Sequence, residues 1–434
     1  MKRFFRKKRA AVVCMALVAL AVCGEPASAQ RINGEIETVQ GKKVLHLWGN
    51  NYEMGYAHGY LLADDIIDLL DNYMLEKYDL SEYAFTNFLL EIYVRLPVDF
   101  YWEIEGMYDG MVAARAEKGI YSKKIGRDFK AIDLIRWNMF EIFPLRFEDR
   151  KRAGTRMCSS VSAWGEGTPD GSTIMARNLD FGAPGDLIER SSMMIAYEQQ
   201  WELLPKKQWL SFGWPGFIGC MTGMNEDGVC AAVHYGNSNA YVEDLMIPLP
   251  WSYTPVGFVL REAIETRWYG LLNNDPISED FMKILSSRNA GSFNIHVITP
   301  NNAPTIRCDP PAAVIEGNDR ETWLRTSWYN QLGDPRLFSN NFLAVTNHHR
   351  AMRFPIPCGR YEILVDELND LQQLDMATAL VLAKAVVQTE EPYHTAQILG
   401  FNADTREMWI SFGDGHFHPY EIEPVHFYWT DIFD

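Results

Sequence analysis

One stretch constrains the fold more than any other. Met157-Cys158-Ser159-Ser160-Val161-Ser162-Ala163-Trp164 reads as a short alternating strand. The turn Glu166-Gly167-Thr168-Pro169-Asp170-Gly171 follows, then a second strand, Ser172-Thr173-Ile174-Met175-Ala176-Arg177-Asn178-Leu179-Asp180-Phe181. Pro-Asp-Gly between two alternating runs is a hairpin signal, because proline presets one turn dihedral and glycine accepts a positive φ. Antiparallel pairing carries Arg177 and Asp180 back toward the start of the first strand, so a thiol, a guanidinium and a carboxylate converge. That set suits nucleophilic catalysis by Cys158, yet no histidine lies in or near the hairpin to take the thiol proton. A cut just before the cysteine solves this: the freed α-amino group, with an ordinary pKa of about 8, becomes the base on the nucleophilic residue itself. Asp180 would then hold the amine, and Arg177 would orient the carboxylate and the thiolate.

Cys-Ser-Ser followed by Ala-Arg-Asn-Leu-Asp-Phe resembles the N-terminal-nucleophile cysteine hydrolases. These include choloylglycine hydrolases, penicillin V acylases, acyl-CoA:6-aminopenicillanic acid acyltransferases, acid ceramidase and N-acylethanolamine acid amidase. The resemblance implies an α+β fold, a four-layer αββα sandwich of two antiparallel sheets with a helical N-terminal segment, and self-cleavage between Met157 and Cys158. Residues 30–157 would become a small subunit that stays bound to residues 158–434.

Further segments carry the same resemblance. Asn51-Tyr52-Glu53-Met54-Gly55-Tyr56-Ala57-His58-Gly59 resembles a glycine-bearing segment of the acyltransferase branch, and Ile132 to Glu141 resembles the helix before the nucleophile in acid ceramidase. Trp214-Pro215-Gly216-Phe217-Ile218-Gly219-Cys220-Met221-Thr222-Gly223-Met224 is similar to an acid ceramidase loop and strand. Gly223-Met224-Asn225-Glu226-Asp227-Gly228-Val229 is similar to the choloylglycine branch. The strand Ala344-Val345-Thr346-Asn347 ends in the family's Thr-Asn, which implies that Asn347 donates to the oxyanion, an interaction typically worth about 3 kcal/mol. Thirteen positions on comes Arg360, which the resemblance implies is a second active-site arginine that would steady the amine and thiolate by charge. One departure is Val233-His234-Tyr235-Gly236-Asn237, where several relatives carry an oxyanion asparagine. His234 and Asn237 are both candidates for that donor, and Trp214 is a candidate substrate contact.

The first 29 residues stand apart. Six basic side chains, Lys2 to Arg9, precede an apolar run from Ala10 to Val22 and the small-x-small site Ala27-Ser28-Ala29, the pattern of a secretory signal. A secreted or periplasmic protein is therefore expected; Val22 before Cys23 is a poor fit to a lipoprotein anchor. No later segment offers about 18 uninterrupted apolar residues, so no membrane span is expected. The net charge is −17 for the whole chain. Without residues 1–29, 34 basic residues face 56 acidic ones, a balance of −22, which argues against nucleic acid and anionic membrane as partners. Of the seven cysteines, five follow the leader; beside Cys158, the remaining four allow three disulfide pairings or none.

Residues 30–157 read as mainly helical after a short strand at Lys43 to Trp48, with helices over Tyr56 to Tyr78 and Asp128 to Phe143, then an exposed basic linker, Arg146 to Arg156. Beyond the hairpin come short strands, Met193 to Tyr197, Gln208 to Phe212, Val229 to Val233, Phe293 to Thr299, Phe342 to Thr346, Thr395 to Phe401 and Glu407 to Phe412. Helices at Val256 to Leu272 and Ala377 to Val387 interrupt them. His348 and His349, like His416 and His418, invite a metal reading. Neighbouring strand histidines point to opposite faces, however, and no partner falls at ligand spacing, so no metal and no cofactor is expected.

The sequence thus points to an amidase that hydrolyses N-acylated amines or amino acids with an apolar acyl group through a thioester on Cys158. Two alternatives stay open: an ester substrate, giving phospholipase-B-like or acyltransferase activity, and an uncleaved lipid- or peptide-binding homologue.

Overall fold

The computed structural model describes residues 31–77, 80–139, 158–182, 185–200, 207–236, 254–265, 275–288, 292–306, 308–317, 321–326, 341–351, 357–389 and 393–433. Residues 1–30, the expected linker Arg146 to Arg156, Met157 and Asn237 lie outside them. All elements named below belong to the unit Asn33–Asp434.

The N-terminal part opens with two strands, β1 (Gly34–Val39) and β2 (Lys42–Gly49). Helix α1 (Asn51–Leu61) starts at a capping box, in which Asn50 and Glu53 satisfy each other's backbone N–H. The sequence reading placed this helix from Tyr56; it begins five residues earlier and breaks at Leu62, before a second helix, Ala63–Leu69. Helices α2 (Val98–Ala114) and α3 (Ala131–Trp137) follow. α1 and α2 touch backbone to backbone: an added Cβ at Gly55 or Gly59 would lie 1.9 Å from the carbonyl oxygen of Glu103 or Met107. Only glycine permits so close an approach.

The hairpin is β3 (Ser159–Gly165) and β4 (Gly171–Gly182), followed by a short helix α4 (Gly185–Arg190). Then come β5 (Met193–Gln199), β6 (Lys207–Gly213), β7 (Thr222–Asn225) and β8 (Cys230–Tyr235), helix α5 (Val256–Glu265), and β9 (Phe293–Ile298), β10 (Ala312–Gly317) and β11 (Thr322–Arg325). The chain finishes with β12 (Phe342–Val345), helices α6 (Gly359–Asp370) and α7 (Met376–Ala385), and β13 (Tyr393–Asn402), β14 (Glu407–Phe412) and β15 (Val425–Phe427).

These strands build a nine-stranded sheet, ordered β1-β2-β5-β6-β7-β8-β9-β10-β11, and a six-stranded sheet, ordered β12-β3-β4-β13-β14-β15. Apolar residues of both, among them Met175, Met194, Phe212, Val314, Leu343 and Phe401, meet in one fully buried layer between the sheets. Helices α6 and α7 cover the outer face of the six-stranded sheet, packing Tyr361, Leu364, Val365 and Leu382 onto Val161, Ala176 and Ile398. α1 and α5 pack on the nine-stranded sheet. This is the four-layer αββα sandwich that the family resemblance implies.

Two expectations need correction. The strand expected at Lys43 to Trp48 is β2, but a second, unexpected strand, β1, pairs with it at the edge of the larger sheet. Nor is that sheet wholly antiparallel: β2 runs parallel to β5, with Leu45 opposite Ile195.

Candidate active site

Turn chemistry fixes the hairpin. Gly171 has φ +78°, and Asp170 Oδ1 accepts hydrogen bonds from the backbone N–H (3.0 Å) and hydroxyl (2.7 Å) of Ser172. The resulting register sets Ser160 opposite Arg177 and Ser159 opposite Asn178. Side chains then alternate between the two faces of the sheet. Arg177 projects into the layer between the sheets, where Nη1 donates to the carbonyl of Met221 at 2.8 Å and Nη2 to that of Val233. Asn178 and Asp180 face the helices: Asn178 donates to the carbonyl of Ala383 in α7 at 2.6 Å, and Asp180 meets Arg360 in α6.

A continuous chain of polar contacts runs through Cys158. Its backbone N–H donates to Asn347 Oδ1 at 2.6 Å. Arg360 Nη2 donates to the same oxygen at 3.2 Å, and Arg360 Nη1 to Asp180 Oδ2 at 3.0 Å. The hydroxyl of Thr395 donates to Asp180 Oδ1 at 2.6 Å; Thr395 stands directly opposite Asp180 in the β4–β13 ladder. The Cys158 sulfur lies 3.7 Å from Arg177 Nη2. Burial pushes the Asp180 carboxyl up to about 6, against the pull of Arg360, Thr395 and Arg177 toward ionisation.

Cys158, Arg177, Asp180, Asn347 and Arg360 are therefore brought together, but the two arginines differ from their expected parts. Arg360, not Arg177, carries the hydrogen bond to the Asp180 carboxylate, and Arg177 serves the sulfur side. Asn347 presents its oxygen to the Cys158 nitrogen, while its Nδ2 donates to the Tyr235 carbonyl at 2.8 Å. A side-chain amide has two N–H hydrogens, so this leaves a second one on Nδ2.

His234 does not join the chain. It is fully buried between the sheets, its Nε2 is 2.9 Å from the Ser160 hydroxyl, and burial, with Arg177 and His296 nearby, pushes its pKa well below the usual range. Ser160 and Ser162 in turn bracket His296 at 2.7 and 2.8 Å. Trp214 is wholly buried too; its indole donates to the Ile188 carbonyl at 2.8 Å and packs on Phe181 with ring centroids 4.4 Å apart. It holds the end of β4 rather than offering a surface to substrate.

Thr395 escaped sequence reading, since nothing in Tyr393-His394-Thr395 signals a partner 215 positions away. Cys358 is a second unexpected thiol. Burial opposes its ionisation, but His348, the Tyr361 N–H, Thr346 and Arg360 bring its pKa down to about 6. All five described cysteines are free thiols, so none of the allowed disulfides is formed among them.

No family model matches the chain. Among curated proteins it is similar to protein dcd1B of Dictyostelium discoideum, 27% identical over 51% of this chain and 42% of that protein. It is also similar to protein dcd1A of the same organism, 25% identical over 51% and 49%, and to an uncharacterized protein of Archaeoglobus fulgidus, 26% identical over 44% and 32%. The chain thus aligns with less than half the length of these relatives. Solved structures similar to it include a Caenorhabditis elegans N-acylethanolamine-hydrolyzing acid amidase ortholog, with TM-score 0.40 and 14% identity over 57% of this chain and 93% of that one. A conjugated bile acid hydrolase mutant from Clostridium perfringens gives TM-score 0.37 and 12% identity over 63% and 97%. Penicillin V acylase from Agrobacterium tumefaciens gives 0.35 and 9% over 59% and 83%.

Proposed function

We propose that this protein is a cysteine amidase that cleaves itself between Met157 and Cys158 and then hydrolyses the linear amide bond of an N-acylated amine or amino acid. The observation that carries the reading is the bond from the Cys158 nitrogen to Asn347 Oδ1, continued through Arg360 to Asp180. A backbone nitrogen anchored beside its own thiol is what an α-amine base requires.

In the first step the Cys158 sulfur attacks the Met157 carbonyl carbon, the peptide C–N bond breaks, and the thiol proton passes to the departing nitrogen. Water then hydrolyses the thioester, leaving a carboxylate on Met157 and a free amine on Cys158. In turnover that amine takes the thiol proton as sulfur adds to the substrate carbonyl. It returns the proton to the leaving amine, and water resolves the acyl-enzyme. Arg177, 3.7 Å from the sulfur, favours the thiolate by charge. Asn347 Oδ1 holds the amine, and its second Nδ2 hydrogen serves the oxyanion.

The two fragments stay associated in this reading. Arg261 of α5 forms a fully buried ion pair with Glu103 of α2, and Asn138 donates to the Gly216 carbonyl at 2.9 Å while accepting from the Ile218 N–H at 2.7 Å. No described helix is long and apolar enough to cross a membrane; the leader-like first 29 residues direct the chain to secretion or the periplasm.

Intact masses of wild type and Cys158→Ala, without added protease, test the processing. A chain beginning at Cys158 in the wild type and an uncut variant are expected, with amide turnover only in the former. A wild type that stays whole from acidic to neutral pH removes the α-amine as base, and the binding-protein reading replaces this one.

A further inference from the structure

Glu189, His394 and His418 lie far apart in sequence, yet each offers a ligand atom within 4.8 Å of the others. Glu189 sits at the end of α4, His394 at the start of β13, and His418 on the loop after β14. The Glu189 carboxylate is 2% exposed, and both its oxygens face His418 Nδ1, at 3.2 and 3.0 Å. The two imidazoles stack, with centroids 5.7 Å apart and planes 5° from parallel. Tyr420 covers the far side of His418 at 5.1 Å.

The loop that presents His418 is built. Asp414 Oδ1 accepts from the His416 and Phe417 N–H groups at 2.8 and 2.7 Å, and Glu421 accepts from the His418 N–H at 2.9 Å. Gly413 brings the backbone so close to Glu189 that a Cβ there would lie 2.6 Å from Oε2. Burial pushes the Glu189 carboxyl upward, and the facing imidazoles oppose this. A buried carboxylate facing two imidazoles offers three ligand atoms that a single cation can share.

We propose that Glu189, His394 and His418 bind one divalent transition-metal ion, zinc being the cation that two imidazoles and a carboxylate suit best. The partial exposure of His418 leaves room for water as a fourth ligand. The ion would tie α4, β13 and the 413–418 loop together, beside the strand ends that carry Asp180 and Thr395. His394 immediately precedes Thr395, so the metal would brace the aspartate support without touching the reacting atoms.

The test uses the full chain in a Cys158→Ala background, so that the nucleophile's thiolate cannot capture the probe. Zinc alone is titrated calorimetrically, bound metal is counted by mass spectrometry, and cobalt is substituted for its absorption spectrum. One ion per chain, a rise in Tm with zinc, and a cobalt spectrum without sulfur charge transfer are expected. His418→Ala and Glu189→Gln should weaken binding by more than the roughly 10–100-fold that losing a residue behind a metal ligand costs; His416→Ala should leave it unchanged. Absence of zinc binding by the parent protein, binding that survives both ligand variants, or a sulfur-ligated cobalt spectrum would each overturn the proposal.

Discussion

Asp180 Oδ2 and Arg360 Nη1 lie 3.0 Å apart across 180 residues of chain, and the carboxylate has no exposed surface while the guanidinium keeps 12%. Such a pair cannot lose one member quietly, because the other stays buried with its charge uncompensated. Asp180→Asn should slow both self-cleavage and amide turnover by at least about 100-fold, since it removes the carboxylate that fixes Arg360 against Asn347. Arg360→Lys keeps a charge but cannot bridge two acceptors as a planar fork does. It should process more slowly than wild type and remain poorly active. Fragment appearance on gels and steady-state rates check both variants; full activity in Asp180→Asn would show that the amine is held elsewhere.

The same carboxyl predicts two pH dependences of opposite sense. Its folded pKa of about 6 lies above the ordinary 3.8, so Asp180 contributes stability that is complete below pH 3.8 and lost as pH rises through 6. Activity needs the ionised form and should fall on an acid limb with apparent pKa near 6. His58 and His296 act the other way. Burial lowers both to about 3, and their stabilisation, present above 6.5, is lost as pH falls toward 3. The Asp180 contribution therefore emerges as a difference: Asp180→Asn should remove the acid limb of residual activity and lose stability relative to wild type most strongly at low pH. Tm and kcat/KM followed from pH 4 to 8 measure both, and an acid limb unchanged in Asp180→Asn would assign it to another group.

Arg261 and Glu103 hold the two proposed fragments together. The guanidinium donates to both carboxylate oxygens at 2.8 and 2.7 Å, to Glu265 at 2.7 Å and to the Ile218 carbonyl at 2.7 Å, and it lies over the Tyr197 ring at 4.6 Å. Replacing Glu103 by Ala removes the bidentate, wholly buried partner and leaves Arg261 with Glu265 alone, and breaking a buried pair in this way typically costs about 3–5 kcal/mol. The expected result is a large drop in Tm and, once the chain is cut, fragments that separate on gel filtration where wild-type fragments co-elute. Glu265→Ala should be milder, because that carboxylate is 10% exposed and Glu103 still neutralises the arginine.

What the sequence made legible follows from the range of each interaction. The 158–181 hairpin was readable because its turn chemistry is local, and Asn347 and Arg360 were readable because they sit in recognisable short segments. The exchange of roles between Arg177 and Arg360 was not, since it depends on which face of β4 looks at α6. The strand at β2 was readable, but its place in the larger sheet was not, because its partner there, β5, lies about 150 residues downstream and is parallel. Helix α6 was hidden by its start: Cys358 provides no side-chain cap, although Tyr361, Leu364, Val365 and Leu368 already carry helical spacing. Of Glu189, His394 and His418, only His418 drew notice in the sequence, beside His416; its partner Glu189 lies 229 positions away, and only the tertiary fold brings the three together.

The α1–α2 contact supplies a last test, of packing rather than chemistry. A Cβ on Gly59 would stand 1.9 Å from the Met107 carbonyl oxygen, and because the obstacle is backbone, no rotamer change relieves it. The helices would have to separate by more than 1 Å, roughly the gap to an ordinary contact distance. α1 also carries His58, whose Nε2 accepts the Gly216 N–H at 2.8 Å in the loop after Trp214, so the strain would reach the end of β4. Gly59→Ala should therefore destabilise by several kcal/mol, far outweighing the roughly 1 kcal/mol that alanine gains over glycine in a helix interior. Gly126→Ala is the comparison: its φ of +66° is strained but nothing lies within 4 Å of the new atom, so the cost should stay near 1–2 kcal/mol. If denaturant unfolding gives the two variants equal losses, the helices are not in backbone contact and α1 does not brace the site.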